Sequence, residues 1–132
     1  MKISRILYIA GMVISFFASI IVYIKTIAPT VPFWDGGEFI AAAYTLGVPH
    51  PPGSPLYVLI GRLFSLLPVM DSNIAWRVNF SSSLFSSLTV LMVYLTIVKI
   101  VTIGQNRAKL SLSESLIIYS GSLTGALLLA FS

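Results

Sequence analysis

Residues 56–68 read LYVLIGRLFSLLP, and the number of times this chain crosses a membrane turns on them. The apolar part, Leu56 to Leu67, is about 12 residues long, whereas a helix rising ~1.5 Å per residue needs roughly 20 to cross ~30 Å of hydrocarbon. Arg62 sits at its middle and Pro68 closes it. A charge held at mid-bilayer costs about 3 kcal/mol or more. The stretch is therefore expected to form a short interfacial or partly embedded helix and not a span.

The runs on either side are longer. The 132-residue chain is 57% hydrophobic and 9% charged, with a mean hydropathy of +0.96. Soluble domains carry about 25% charge. Lipid offers the backbone no hydrogen-bond partner, so only helices or closed barrels span it, and apolar runs without alternation favour helices. The expectation is an all-α, multi-pass membrane protein with spans over about residues 6–27, 76–101 and 115–132. A cleaved signal peptide is the competing reading of the first run. That run exceeds the usual h-region of about 7–15 residues and lacks a small-x-small cleavage site after it.

Lys2, Arg5, Lys99, Arg107 and Lys109 then fall on one side of the membrane. Basic residues mark the cytoplasmic side. The N-terminus is expected in the cytoplasm and the loop over residues 29–73 outside. Had Leu56–Leu67 spanned, the loop over residues 104–113 would have moved outside, against that rule. The net charge of +4 reads as this topology signal, so no nucleic-acid partner is expected. The absence of cysteine excludes a disulfide framework and a thiolate nucleophile.

The outer loop gathers the polar chemistry. Val31 to Tyr57, VPFWDGGEFIAAAYTLGVPHPPGSPLY, holds two of the four acidic residues, the single histidine, one of the two tryptophans and five of the seven prolines. Pro29 and Pro32 end the first helix, and Trp34 suits the interface. Glu38 to Leu46 predicts a short helix ended by Gly47 at C′. With Leu56–Leu67 it makes an interfacial helix pair. Val48 to Pro55, rich in proline, excludes regular helix, and Asp71 to Asn73 predicts a turn.

Two readings of Asp35 and Glu38 stand side by side. Their spacing resembles a capping box, Asp35 as N-cap and Glu38 at N3, which contributes about 1 kcal/mol and needs no function. Alternatively Asp35 is a general base, with Gly36 and Gly37 leaving room for a substrate. The two conflict in part, because backbone N–H groups on a carboxylate lower its basicity. His50, between Pro49 and the stiff Pro51-Pro52-Gly53, could bind a phosphate, move a proton or simply satisfy an interface hydrogen bond. Arg62 could pair with phosphate or snorkel to the interface. Asp35, Glu38 and His50 lack the spacing of a firm metal template, and no metal is expected. No phosphate-binding loop or dinucleotide fingerprint is present.

Elsewhere, Ser113 with Glu114 predicts a helix start, and Gly121 with Gly125 forms a small-xxx-small pair. The serines at 81, 82, 83, 86 and 87 are compatible with close helix packing. The chain stops inside an apolar run, as the N-terminal part of a longer protein would.

The run from Asp35 to Tyr57 resembles a membrane family long described as a domain of unknown function, one member of which is a protein O-mannosyltransferase of plexin-type receptor domains. The resemblance rests on Asp35, Gly37, Glu38, Leu46, Gly47, His50, Pro51, Pro52, Gly53, Pro55 and Leu56, in order. Gly36 departs from it, standing where serine or cysteine is frequent. The family is similar to the GT-C glycosyltransferases, multi-spanning helical enzymes with an acidic residue in the first outer loop. The resemblance implies an inverting transfer of a mannose-like sugar from a polyprenyl-phosphate donor to an acceptor hydroxyl on a protein or glycan, with no further cofactor. It implies that Asp35 is the general base, that Glu38 orients Asp35 or the acceptor, and that His50 and Arg62 bind the donor phosphate. Gly36, Gly37, Pro51, Pro52 and Gly53 would shape the loop. A bacterial plasma membrane is the expected location, and a fragment of this length is expected to be inactive alone. The alternatives are a transporter segment, disfavoured by the uncharged span centres, and a non-catalytic membrane scaffold.

Overall fold

The computed structural model describes residues 2–68, 73–105 and 110–132. Every regular element among them is a helix. They are α1 (Lys2–Thr26), α2 (Gly36–Thr45), α3 (Pro55–Leu66), α4 (Ile74–Val101) and α5 (Leu112–Phe131). Three of these are long and apolar enough to cross a membrane: α1 over Ile3–Thr26, α4 over Ile74–Val101 and α5 over Leu112–Phe131. α3, 12 residues long, is not. Asp71 and Ser72 of the expected turn, and Arg107 and Lys109 of the charge pattern, lie outside the described residues.

The chain divides into two compact units, Met1–Tyr23 with Phe85–Ser132, and Ile24–Leu84. The first is a three-helix packing. Its core is Val90, Tyr94 and Val98 of α4 with Tyr119 and Ala126 of α5, backed by Leu7, Tyr8 and Met12 of α1. Tyr94 is fully buried and donates its hydroxyl to the Tyr8 carbonyl at 3.0 Å. That approach requires Gly11, where a Cβ would stand 2.2 Å from the Tyr94 hydroxyl. Bulky aromatic and small residue are thus matched across α1 and α4, as membrane helices need when packing replaces hydrophobic drive. Tyr23 closes the other end of α1 onto α5, donating to the Ala130 carbonyl at 2.9 Å. The expected glycine pair is only half realised: Gly125 takes Ile97 of α4 against it, while among the described residues no neighbour beyond its own turn of helix comes within 4 Å of a Cβ built on Gly121.

α5 begins two residues earlier than Ser113 would place it. Ser111 is the N-cap and forms a reciprocal capping box with Glu114. The S-x-x-E spacing favours Ser111, since a cap oxygen reaches the N3 amide and the N3 carboxylate reaches back.

In the second unit, α2 and α3 pack on the first turns of α4 around Ile40, Ala43, Ala75 and Val78. Gly61 of α3 is the contact point, where a Cβ would stand 2.8 Å from the Ala43 Cβ. The connection leaving α1 is tied to α4 by asparagine side chains. Asn73 donates to the Pro29 carbonyl at 2.7 Å, and Asn79 to the carbonyls of Ala28 and Thr30 at 3.1 and 3.2 Å. These carbonyls lie just past the end of α1 at Thr26. The loop carrying the acidic residues is therefore fixed at its start.

Candidate functional site

α2 starts at Gly36 because the chain turns sharply before it. Trp34 has a left-handed backbone (φ 70°), and Val31 and Pro32 fold back over the helix start. A Cβ on Gly36 would stand 2.4 Å from Pro32 Cγ, and one on Gly37 2.8 Å from Val31 Cγ1. The two glycines thus shape the loop. The room that they were expected to leave for a substrate is occupied by the chain's own residues.

Asp35 holds the N-cap position without the cap bond. Its backbone is right-handed helical (φ −72°, ψ −2°), and its side chain makes no cap hydrogen bond. An N-cap side chain reaches the N2 or N3 amide from the β region, so this backbone removes the geometry. The other half of the expected box is also gone, because the Glu38 carboxylate is engaged by His50. Oε1 accepts the His50 backbone N–H at 2.6 Å and Oε2 pairs with Nδ1 at 2.9 Å. A carboxylate only accepts, so Nδ1 carries the proton and Nε2 lies outside the pair. Both Glu38 carboxylate oxygens are thus engaged by His50.

The proline-rich segment places His50 for this bond. The Gly53 N–H closes a turn on the His50 carbonyl at 3.0 Å, with Gly53 at φ 88° and a cis Pro51-Pro52 bond between them. Phe39, one residue beyond Glu38, meets the His50 ring edge-to-face at 5.5 Å and the Tyr57 ring at 5.4 Å. Edge-to-face pairs at such distances are favourable. Sequence reasoning passed over Phe39 and Tyr57, although their place beside Glu38 and the proline segment was a signal.

Asp35, Glu38 and His50 are brought together. One ligand atom from each lies within 4.8 Å of the others, and all three residues are exposed. Hydrogen bonding from His50 pulls the Glu38 carboxyl below its ordinary value of 4.5. The Glu38 hydrogen bond, and then its charge, lift His50 above 6.5, with a smaller push from Asp35. What the histidine adds to stability is present below its unfolded value and lost as pH climbs through the raised one. What the glutamate adds is present above its unfolded value and lost as pH falls through the lowered one. Both are charged across the interval from 4.5 to 6.5, and the imidazolium persists above it.

Arg62 is not part of this cluster. Its guanidinium Nη1 donates to the Tyr44 carbonyl and lies 5.5 Å from the centre of the Tyr44 ring. Tyr44 is nine residues beyond Asp35, about 14 Å along a helix rising ~1.5 Å per residue. Arg62 therefore satisfies a carbonyl at the C-terminal end of α2, where cations are favoured. The same helix ends with Leu46, not Gly47, in the left-handed region (φ 58°), and the Gly47 N–H bonds the Ala42 carbonyl at 2.9 Å.

The cluster can accept a proton at Asp35 and present a positive imidazole to an anion within one small space. Its oxygen and nitrogen donors also suit a divalent ion. Against known proteins, residues 35–132 match the family described as protein O-mannosyl-transferase TMEM260 N-terminal domain. A relative named protein O-mannosyl-transferase tmem260, from Dictyostelium discoideum, is 38% identical over 97 residues, covering 73% of this chain and 12% of the relative. Another, protein O-mannosyl-transferase TMEM260 from Mus musculus, is 36% identical over 89 residues, covering 66% of this chain and 12% of the relative. The chain thus spans about an eighth of the length of the curated relatives it matches. Neither relative is bacterial, so the expected bacterial membrane gains no support. No solved structure matches the chain.

Proposed function

From a chain that belongs to the protein O-mannosyl-transferase TMEM260 N-terminal domain family, we propose that it supplies the first outer loop and catalytic carboxylate of a membrane glycosyltransferase. The enzyme takes a mannose-like sugar from a polyprenyl phosphate and gives it, with inversion, to an acceptor hydroxyl on a protein or glycan, at the non-cytoplasmic face. The observation that carries this reading is the meeting of Asp35 with the Glu38–His50 pair within 4.8 Å, on a loop between helices of spanning length.

Asp35 takes the proton from the acceptor hydroxyl as that oxygen attacks the anomeric carbon. The bond from that carbon to the donor phosphate breaks, and the electron pair leaves with the phosphate. His50, held cationic by Glu38, stabilises the departing charge electrostatically. A phosphate leaves without a dedicated acid, unlike the leaving group of most glycosidases. Lipid and acceptor are the partners, and the chemistry needs no further cofactor.

The reading is tested with the full-length protein in membranes, supplied with radiolabelled mannose on a polyprenyl phosphate or on a nucleotide. Label is expected to pass to acceptor from the lipid donor with no nucleotide sugar present. Transfer from the nucleotide sugar alone would overturn the donor assignment. The electrostatic role of His50 has its own signature. The alkaline limb of the transfer rate is expected above pH 6.5 in the native enzyme, because the imidazolium persists there. In Glu38→Gln, which removes the carboxylate charge, that limb is expected to move down toward 6.5. An unmoved limb would separate His50 from the rate.

A further inference from the structure

We propose, on the basis of the role given to His50 above, that Phe39 is a positioning residue of the site: its ring sets the plane of the His50 imidazole and so aims Nε2 at the departing phosphate. Three rings stand in a row. The Phe39 ring meets the His50 ring at 5.5 Å and 78°, and the Tyr57 ring at 5.4 Å and 86°. Both contacts are edge-to-face, the arrangement that the ring quadrupole favours. Tyr57, in the first turn of α3, packs in turn against the buried cluster of Ile40, Ala43, Ala75 and Val78. The row therefore ties an exposed histidine to the core of its own compact unit.

The two bonds to Glu38 fix a point of the imidazole and not its plane. They hold the His50 backbone N–H and Nδ1 on one carboxylate. The ring can still swing about the line from Nδ1 to Oε2, and Nε2 would sweep an arc with it. A cation that wanders stabilises developing charge less well, because such stabilisation depends on groups held in place before the reaction. Phe39 follows Glu38 directly on α2, and successive residues of a helix point ~100° apart. One residue thus holds the imidazole by its nitrogen, and the next holds it by its ring from a different direction. Phe39 is half-buried, whereas the buried residues of α2 are Ile40, Ala42 and Ala43. The core of this unit is therefore made by its neighbours, and the Phe39 ring is given to His50 and Tyr57.

The test is a double-mutant cycle in the full-length protein, with transfer of radiolabelled mannose from a polyprenyl phosphate as the measured rate. Phe39→Leu keeps a bulky apolar side chain and a good helix former. It is expected to lower turnover about 2- to 10-fold, the range that an edge-to-face pair contributes, with donor KM unchanged. Phe39→Tyr, which keeps the ring, is expected to retain the native rate. In a His50→Ala background, Phe39→Leu is expected to cause no further loss. Equal fractional losses in both backgrounds would show that Phe39 acts on the fold and not through His50, and would overturn the proposal. Native turnover in Phe39→Leu beside lost turnover in His50→Ala would overturn it too, and would leave the role of His50 standing. Unchanged turnover in His50→Ala itself would overturn that role and the proposal together. If Phe39→Leu is not recovered in membranes, Tyr57→Leu, which removes the ring behind Phe39, takes its place in the cycle under the same criteria.

Discussion

Replacing Asp35 by asparagine is expected to lower sugar transfer by the full-length protein about 10²- to 10⁴-fold, the range that a positioned general base contributes. Protein level and thermal stability are expected to stay near those of the native enzyme. The structure gives two reasons for that separation. The Asp35 side chain makes no cap hydrogen bond, so none is lost. Asparagine is also as good an N-cap as aspartate, so the helix start is not weakened. Transfer assay and level should be read together. Retained transfer removes Asp35 from the mechanism and shifts the base to the Glu38–His50 pair. A fall in level with normal specific activity would make Asp35 a structural residue.

Replacing His50 by alanine is expected to reduce transfer about 10²- to 10³-fold, the loss seen when one preorganised stabiliser of developing charge is removed. The fold should survive, because His50 and Glu38 are both about half exposed (side chains 47% and 45%) and water replaces the imidazole on the carboxylate. The backbone N–H of residue 50 still reaches Glu38 after the substitution. A variant that keeps its thermal stability and donor KM but loses turnover would carry the signature of transition-state stabilisation. Loss confined to KM would assign His50 to ground-state binding of the donor. Unchanged turnover and KM would exclude it from the chemistry.

Much of the architecture is legible in the sequence, because one physical quantity dominates it. Hydropathy over some 20 residues and the reach of a helix identified the three long helices and denied that status to Leu56–Leu67. Local choices were less legible where two residues competed for one role. Ser111 and Ser113 both precede the third apolar run, and the three-residue reach of the capping box settles the helix start for Ser111. Gly47 was the natural left-handed residue, yet Leu46 takes that conformation.

At the site, the residue types were legible and their partners were not. Glu38 and His50 are 12 residues apart in the chain, across a helix and a turn whose direction depends on the proline conformations. A spacing rule cannot deliver that contact. The same holds for the contact of Arg62 with the Tyr44 carbonyl, which joins residues 18 apart in the chain. Gly36 and Gly37 suggested open space because glycine marks close approach by something. In this chain that something is Val31 and Pro32.

The hydroxyl groups along the long helices carry a consequence for biosynthesis. Ser15 bonds the Met12 carbonyl, Ser19 those of Ser15 and Phe16, Ser122 that of Ile118 and Thr89 that of Phe85. Each of these hydroxyls is satisfied within its own helix, three or four residues back. A helix built in this way brings few unmet donors when it leaves the translocon, so it can enter lipid before its neighbours are made. The Tyr94 hydroxyl, by contrast, reaches the carbonyl of Tyr8 on another helix. Such bonds can form only once the helices meet. Insertion one helix at a time, followed by locking through a few tyrosines, is the order of events that this division of hydrogen bonds favours.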